Sequence, residues 1–407
     1  MKIQRLSADE QRLLLNCARQ RMPEDLIAQT RKALAESIAW DHVIATAWRH
    51  GVAPLLQRHL ASHALQDLVP DEAKHSLREC YVRAAFRSQT HLAAIDELQR
   101  AFARAEVPLI LLKGAALVLT TYLDPALRPF ADTDLLIRED QIGPAKIALA
   151  DCGYSLAPEL LSEKLSRRFH VNLPFIKRGD RPVHVELHWQ LTDRFSAYAF
   201  TNDAIWARAT RVATEQSALV LEVHDAILYL AAHVDKHGYS NQALAQAPDA
   251  TPWVLDELSA NRLIWFTDLH ELITASAINW TIIEERSRPR ELRAAISATF
   301  RLLRELLGTE GIPDTLIAAT PARLSKRWLT RNWQSADERR RAFLHRHVLA
   351  TRKGFELRLV RLADLWSFIF PRGEISIAHT VKALGLCARL SFALCAARLG
   401  RFLHSRA

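Results

Sequence analysis

At 407 residues, with 49% apolar and 24% charged side chains, the chain has the composition of a soluble globular protein long enough for two or three domains. Its five cysteines, Cys17, Cys80, Cys152, Cys387 and Cys395, include no CxxC pair, which argues against a disulfide framework or a structural zinc site and for a reducing, cytoplasmic setting. The formal charge of +9 is a local property: residues 321–407 hold 18 Lys and Arg against 5 Asp and Glu, while the first 320 hold 36 against 40.

The opening "MKIQRLSADE" alternates charged and apolar residues, unlike a secretory signal, and Ser7 to Glu10 has the form of a capping box. Residues 7–100 read as amphipathic helices. "PEDLIAQTRKALAES" places Pro at a first helical turn, "WDHVIATAWRHGVAPLLQRHLAS" breaks at Gly51, and "AAFRSQTHLAAIDELQRAFARAEV" is one long helix. The pattern then changes. "VPLILL" (107–112) is a short continuous apolar run expected of a buried strand, and it stops at Gly114. "AALVLTTYL" resumes helical spacing, "DTDLLI" is a second buried strand, and "IGPAKIALADCGY" is a short helix ending near Gly153. "HVNLPFIKRGDRPVHVELHWQL" is a hairpin turning at "RGD".

Beyond Trp189 helical spacing returns in "EVHDAILYLAAHVDKHGY" and "NRLIWFTDLHELITASAINW", with a polar loop at 241–253 between them. A further helical region runs to the end, broken at "FPRGE". Its longest apolar stretch, "ALGLCARLSFALCAARLGRFL", is interrupted by Arg389 and Arg398 and does not suit a membrane span. The predicted fold is α+β and predominantly helical: a small mixed sheet within 101–195, an N-terminal helical region (1–100), a helical substrate or lid region (196–290) and a basic helical region (291–407). The basic tail with interleaved Trp, Phe and Leu suits either an arginine-rich solvent face or contact with a membrane surface or acidic partner. The −4 balance of the first 320 residues offers no groove to a nucleic-acid template.

The chemistry-bearing residues lie on the two predicted strands. Asp132 and Asp134 leave one face of "DTDLLI", two negative charges that repel unless a cation or proton sits between them. In "VHVELHW", Val183, Val185 and Leu187 share one face, and His184, Glu186 and His188 share the other. Three carboxylates from neighbouring strands can hold divalent ions, and two ions about 3.5–4 Å apart clamp the oxygens of an in-line phosphoryl displacement.

"LLKGAAL", "RPFADTDLLI" and "VELHW", in that order, resemble a poorly characterised bacterial nucleotidyltransferase family within the DNA polymerase β-like superfamily. "WRHGVAPLL", "HVDKHGY" and "LIWFTDLHELI" extend the likeness over residues 40–280. The resemblance implies a small nucleotidyltransferase core in which Gly114 is the turn glycine and Asp132, Asp134 and Glu186 are the catalytic and metal-binding acids. It also implies Mg²⁺ or Mn²⁺ as cofactor. The reaction would carry a nucleoside monophosphate from an NTP, with ATP the expected donor, to a small-molecule or protein acceptor hydroxyl, and Glu186 would complete an ion site or take the acceptor's proton. One departure is plain: the superfamily's turn is usually Gly-Ser or Gly-Gly, and here it is Gly114-Ala115, so phosphates would meet backbone amides, Lys113 or Arg128.

Other readings stay open for several of these residues. Lys113 also suits an exposed strand end, and Arg128 also suits a resting pair with Asp132 or Asp134. His184 and His188, flanking Glu186, suit a histidine-rich metal site or, the favoured reading, satisfied strand histidines. His233 and His237 suit a helix surface or pocket lining, and Asp268 and His270 suit helix packing. A catalytically degenerate nucleotide-binding or scaffold protein, peripheral at a membrane through residues 321–407, is the alternative to an enzyme.

Overall fold

The Ser7 hydroxyl accepts from the Glu10 amide while the Glu10 carboxylate accepts from the Ser7 amide, so the predicted capping box starts the first helix, α1 (Ala8–Cys17). The protein is seen here in a computed structural model that describes residues 6–62, 64–157, 163, 167, 171–192, 198, 200–212, 218–237 and 262–317. The basic tail 321–407 with its expected membrane or acidic-partner contact, the 241–253 loop and the side chain of His237 lie outside the described residues. By internal contacts the chain divides into two units, Met1–Leu156 with His170–Ser335, and Ala157–Phe169 with Ala336–Ala407. The elements below belong to the first.

Four helices follow the opening cap: α2 (Glu24–Leu34), α3 (Trp40–Arg49), α4 (Ala53–Leu60) and the 34-residue α5 (Asp71–Arg104). Gly51 joins α3 to α4 with φ +75°, a left-handed turn that favours glycine. The sheet begins after α5 with β1 (Ile110–Leu111), α6 (Lys113–Thr120), β2 (Asp132–Leu136), α7 (Ile142–Asp151) and β3 (Tyr154–Leu156). It continues with β4 (Asn172–Lys177), β5 (Val183–His188), α8 (Asn202–Arg208), β6 (Thr210–Arg211) and β7 (Leu219–Val220). Helices α9 (Val223–His237), α10 (Leu263–Ala275), α11 (Trp280–Arg286), α12 (Arg290–Leu307) and α13 (Asp314–Ile317) complete the described chain.

The seven strands run in the order β3-β4-β5-β2-β1-β7-β6. β2 pairs parallel with β5 and β1 pairs parallel with β7, while the other neighbours are antiparallel. The fold is therefore α+β, mostly helical with one mixed sheet, as the sequence patterns predict. The hairpin at "RGD" is β4–β5. The run "VPLILL" contributes only Ile110 and Leu111 as strand, because the backbone turns at Lys113, where φ is +47°. β3, β6 and β7, two or three residues each, are not visible in the sequence patterns, and β6 and β7 extend the sheet past residue 195.

Helices from both ends of the unit share one apolar core. Leu13, Leu14, Leu55 and Leu56 meet Phe266, Leu269, Phe300 and Leu303, all buried. This contiguous burial, favourable by about 25 cal/mol per Å² of apolar surface, joins the N- and C-terminal helices of the unit. Among the described residues, no helix is long and apolar enough to cross a membrane.

Candidate active site

Parallel pairing of β2 with β5 sets Asp134 opposite Glu186 and Asp132 opposite His184. Strand alternation does the rest. Thr133, fully buried on the other face, bonds His91 Nδ1 of α5 at 3.0 Å, which anchors β2 while Asp132 and Asp134 face a cavity. Asp134 is 2% exposed and accepts from Lys113 Nζ at 2.7 Å on the Oδ1 atom. His188 Nε2 lies 2.9 Å from that same oxygen and 3.1 Å from Glu186 Oε2. Asn172 Nδ2 donates to Glu186 Oε2 at 2.9 Å.

These contacts separate the carboxylates electrostatically. Burial and the neighbouring Asp134 push the Asp132 carboxyl up to about 6, with Glu186 adding to the rise and Lys113 opposing it. Burial would raise Asp134 as well, but Lys113 and the His188 hydrogen bond hold it well below the usual carboxylate range. Glu186 is lowered too, the His188 hydrogen bond overcoming burial and the repulsion of Asp134. His188 is raised, because its bonds to both carboxylates outweigh its burial.

The turn after β1 is tightly built. A Cβ on Gly114 would sit 2.9 Å from Arg128 Nη1 and 2.9 Å from Phe130 Cβ, so a larger residue would collide there. Arg128 is 5% exposed, and its Nε and Nη2 donate to Asp268, the shorter bond 2.7 Å, while Nη1 donates to the Pro129 carbonyl. Its carboxylate partner is thus Asp268 of α10, which also accepts from Tyr122 at 2.8 Å, rather than Asp132 or Asp134. Lys113 is not an exposed strand end, since its ammonium is committed to Asp134. Ala115 is buried and does not line the cavity.

The cavity, about 370 Å³, is lined by Lys113, Gly114, Arg128, Asp132, Asp134, Glu186 and His188. Tyr229 and His233 of α9, with Arg262 and Trp265 at the start of α10, line it as well. His233 packs edge-on against Trp265 with ring centroids 4.8 Å apart, the pocket-lining role open to it in the sequence. Asp268 and His270 pack within the helices, His270 Nδ1 bonding Thr309 Oγ1 at 2.8 Å.

Residues 36–308, well over half of the chain, match the model of a family described as an uncharacterised nucleotidyltransferase. The chain belongs to this family. No curated protein matches it. The match brackets every site residue above, from the Gly51 turn to α10, and extends the 40–280 span of the sequence resemblance.

In this nucleotidyltransferase, Asp134, Glu186 and His188 each offer one ligand atom, and the three lie within 4.8 Å of one another. Two carboxylate oxygens and an imidazole suit a divalent cation, and Lys113 supplies the positive charge that balances them here. Asp132 is not in this close trio but lines the same cavity. His188, favoured from the sequence as a satisfied strand histidine, is thus a member of the trio, and Arg262 lines the cavity with no expectation attached to it. The period-2 alternation that placed Glu186 also puts His188 on its face, so that signal was present; nothing local singled out Arg262.

Proposed function

We propose that the enzyme transfers a nucleoside monophosphate, with ATP as donor, to an acceptor hydroxyl and releases pyrophosphate. We place it in the DNA polymerase β-like superfamily. The observation that carries the reading is the convergence of Asp134, Glu186 and His188 in one cavity with Asp132 and the Gly114 turn. Tyr229 and His233 of α9 and Trp265 of α10 line the same cavity and would form the acceptor site.

Asp134, Glu186 and His188 are the groups that would hold Mg²⁺ or Mn²⁺, with Asp132 beside them. Such an ion neutralises the triphosphate and acidifies the acceptor hydroxyl. The side chains have distinct tasks. Gly114, lacking a Cβ, lets Arg128 and Phe130 pack against the start of α6, whose amides favour anions such as the phosphates. Lys113 sits beside Asp134, from which a phosphate oxygen can recruit its ammonium. The acceptor oxygen forms a bond to the α-phosphorus as the bond to the β-phosphate oxygen breaks, and that electron pair leaves with pyrophosphate. The acceptor's proton passes to Asp132, the cavity carboxylate that lies outside the close trio. Positioning and charge stabilisation supply the rate.

The test is incubation of the full chain with each α-labelled NTP and Mg²⁺ or Mn²⁺, in cell lysate as acceptor source. The wild type is expected to transfer label, and the Asp132→Asn, Asp134→Asn double variant is expected to transfer none. Equal transfer by the variant, or none by the wild type with any NTP, defeats the proposal.

A further inference from the structure

The arginine nearest the glycine turn is already engaged: Arg128 is held by Asp268 through Nε and Nη2. A second arginine, Arg262, lines the same cavity together with Lys113, Gly114 and Asp132. Among the described residues its one hydrogen bond runs from Nε to the Arg49 carbonyl, at 3.2 Å, which leaves both Nη groups free of a carboxylate partner.

The placement of Arg262 is built by the N-terminal helical region. The Leu263 amide donates to His50 Nδ1 at 3.2 Å and the Ile264 amide donates to the His50 carbonyl at 3.1 Å. A Cβ on Gly51 would come within 3.1 Å of Arg262 Nη2, so the left-handed glycine leaves room for the guanidinium. The "RHG" of "WRHGVAPLL" is therefore a cradle for Arg262 as well as a helix break. Burial and the nearby Arg128 depress the Arg262 guanidinium, while Asp132 and Asp268 pull it back, which puts both arginines and Asp132 in one field. Two guanidinium groups brought together at a half-buried wall, one of them unpaired, form an arrangement that an anion completes.

We infer that Arg262 grips the triphosphate of the incoming nucleotide, reaching with its free Nη groups to the phosphates that meet the Gly114 turn. This rests on the nucleotide reading above and adds to it the residue that fixes the donor. A fork of two N–H groups on a phosphate is a strong charge-assisted contact, and a lysine retains its charge but not its geometry.

Calorimetric titration of the full chain with Mg·ATP, inorganic tripolyphosphate and adenosine tests it, with thermal melts of each variant. Arg262→Gln is expected to weaken ATP and tripolyphosphate about tenfold or more and leave adenosine unchanged. Arg262→Lys is expected to lose about threefold and to carry the test if the Gln variant does not fold. ATP affinity within about twofold of wild type in a folded Gln variant, or in the Lys variant if Gln does not fold, overturns the role of Arg262 alone. An equal loss for adenosine overturns it too, since the cavity itself would then be damaged. A wild type that binds neither Mg·ATP nor tripolyphosphate removes the nucleotide reading and this one together.

Discussion

Asp134 is ionised at almost complete burial only because Lys113 and His188 meet it, and Lys113 does so from a left-handed backbone at φ +47°. That conformation costs a non-glycine residue roughly 1–2 kcal/mol and persists where its surroundings hold it. Lys113→Met would leave a buried carboxylate with His188 as its one cationic neighbour. Stability in EDTA should fall by about 3–5 kcal/mol, the usual cost of breaking a buried pair. A divalent cation should then compensate. Melts in Mn²⁺ against EDTA are expected to show a larger rise for Lys113→Met than for wild type, and equal rises would mean that the ammonium and the ion do not compete for Asp134.

Elements with strong periodicity were legible in the sequence, and so was the part of the site that they carry. Alternation in "DTDLLI" and "VHVELHW" fixed which faces Asp132, Asp134 and Glu186 take, and the β2–β5 register brought Asp134 and Glu186 together. Strands of two residues carry no period, so β6 and β7 were hidden. Contacts between distant elements were hidden for another reason: neither Arg128 with Asp268 nor the "RHG" turn with Arg262 has a local pattern. The first of these ties the chain leading into β2 to α10 while Arg128 fills the space beside Gly114. Asp268→Ala leaves that buried guanidinium unpaired and should cost about 3–5 kcal/mol in urea unfolding, whereas the Arg128→Met, Asp268→Leu pair should recover much of it. A single variant costing under about 1 kcal/mol would assign the docking of α10 to apolar packing instead.

At the scale of the whole unit, buried histidines tie the sheet and the helical layers to the pH of the solution. His91, bonded to Thr133 beneath β2, and His270, bonded to Thr309 beside α12, are each held down to about 4, chiefly by burial. Above the ordinary histidine value near 6.5 both are neutral whether folded or unfolded and contribute nothing to the pH dependence. Between about 6.5 and 4 the unfolded chain takes up protons that the folded chain refuses, so stability falls as pH falls, by roughly 2–4 kcal/mol for each histidine. Asp132 acts in the opposite direction over part of that window. Its carboxyl, raised to about 6, is protonated in the folded state first and offsets some of the loss. Melting midpoints at pH 8, 6.5 and 5 separate the two effects. The His91→Gln, His270→Gln variant should decline less than wild type between pH 6.5 and 5, and Asp132→Asn should decline more. If the double histidine variant keeps the wild-type slope, the acid sensitivity of the fold lies with its carboxylates and not with the histidines beneath them.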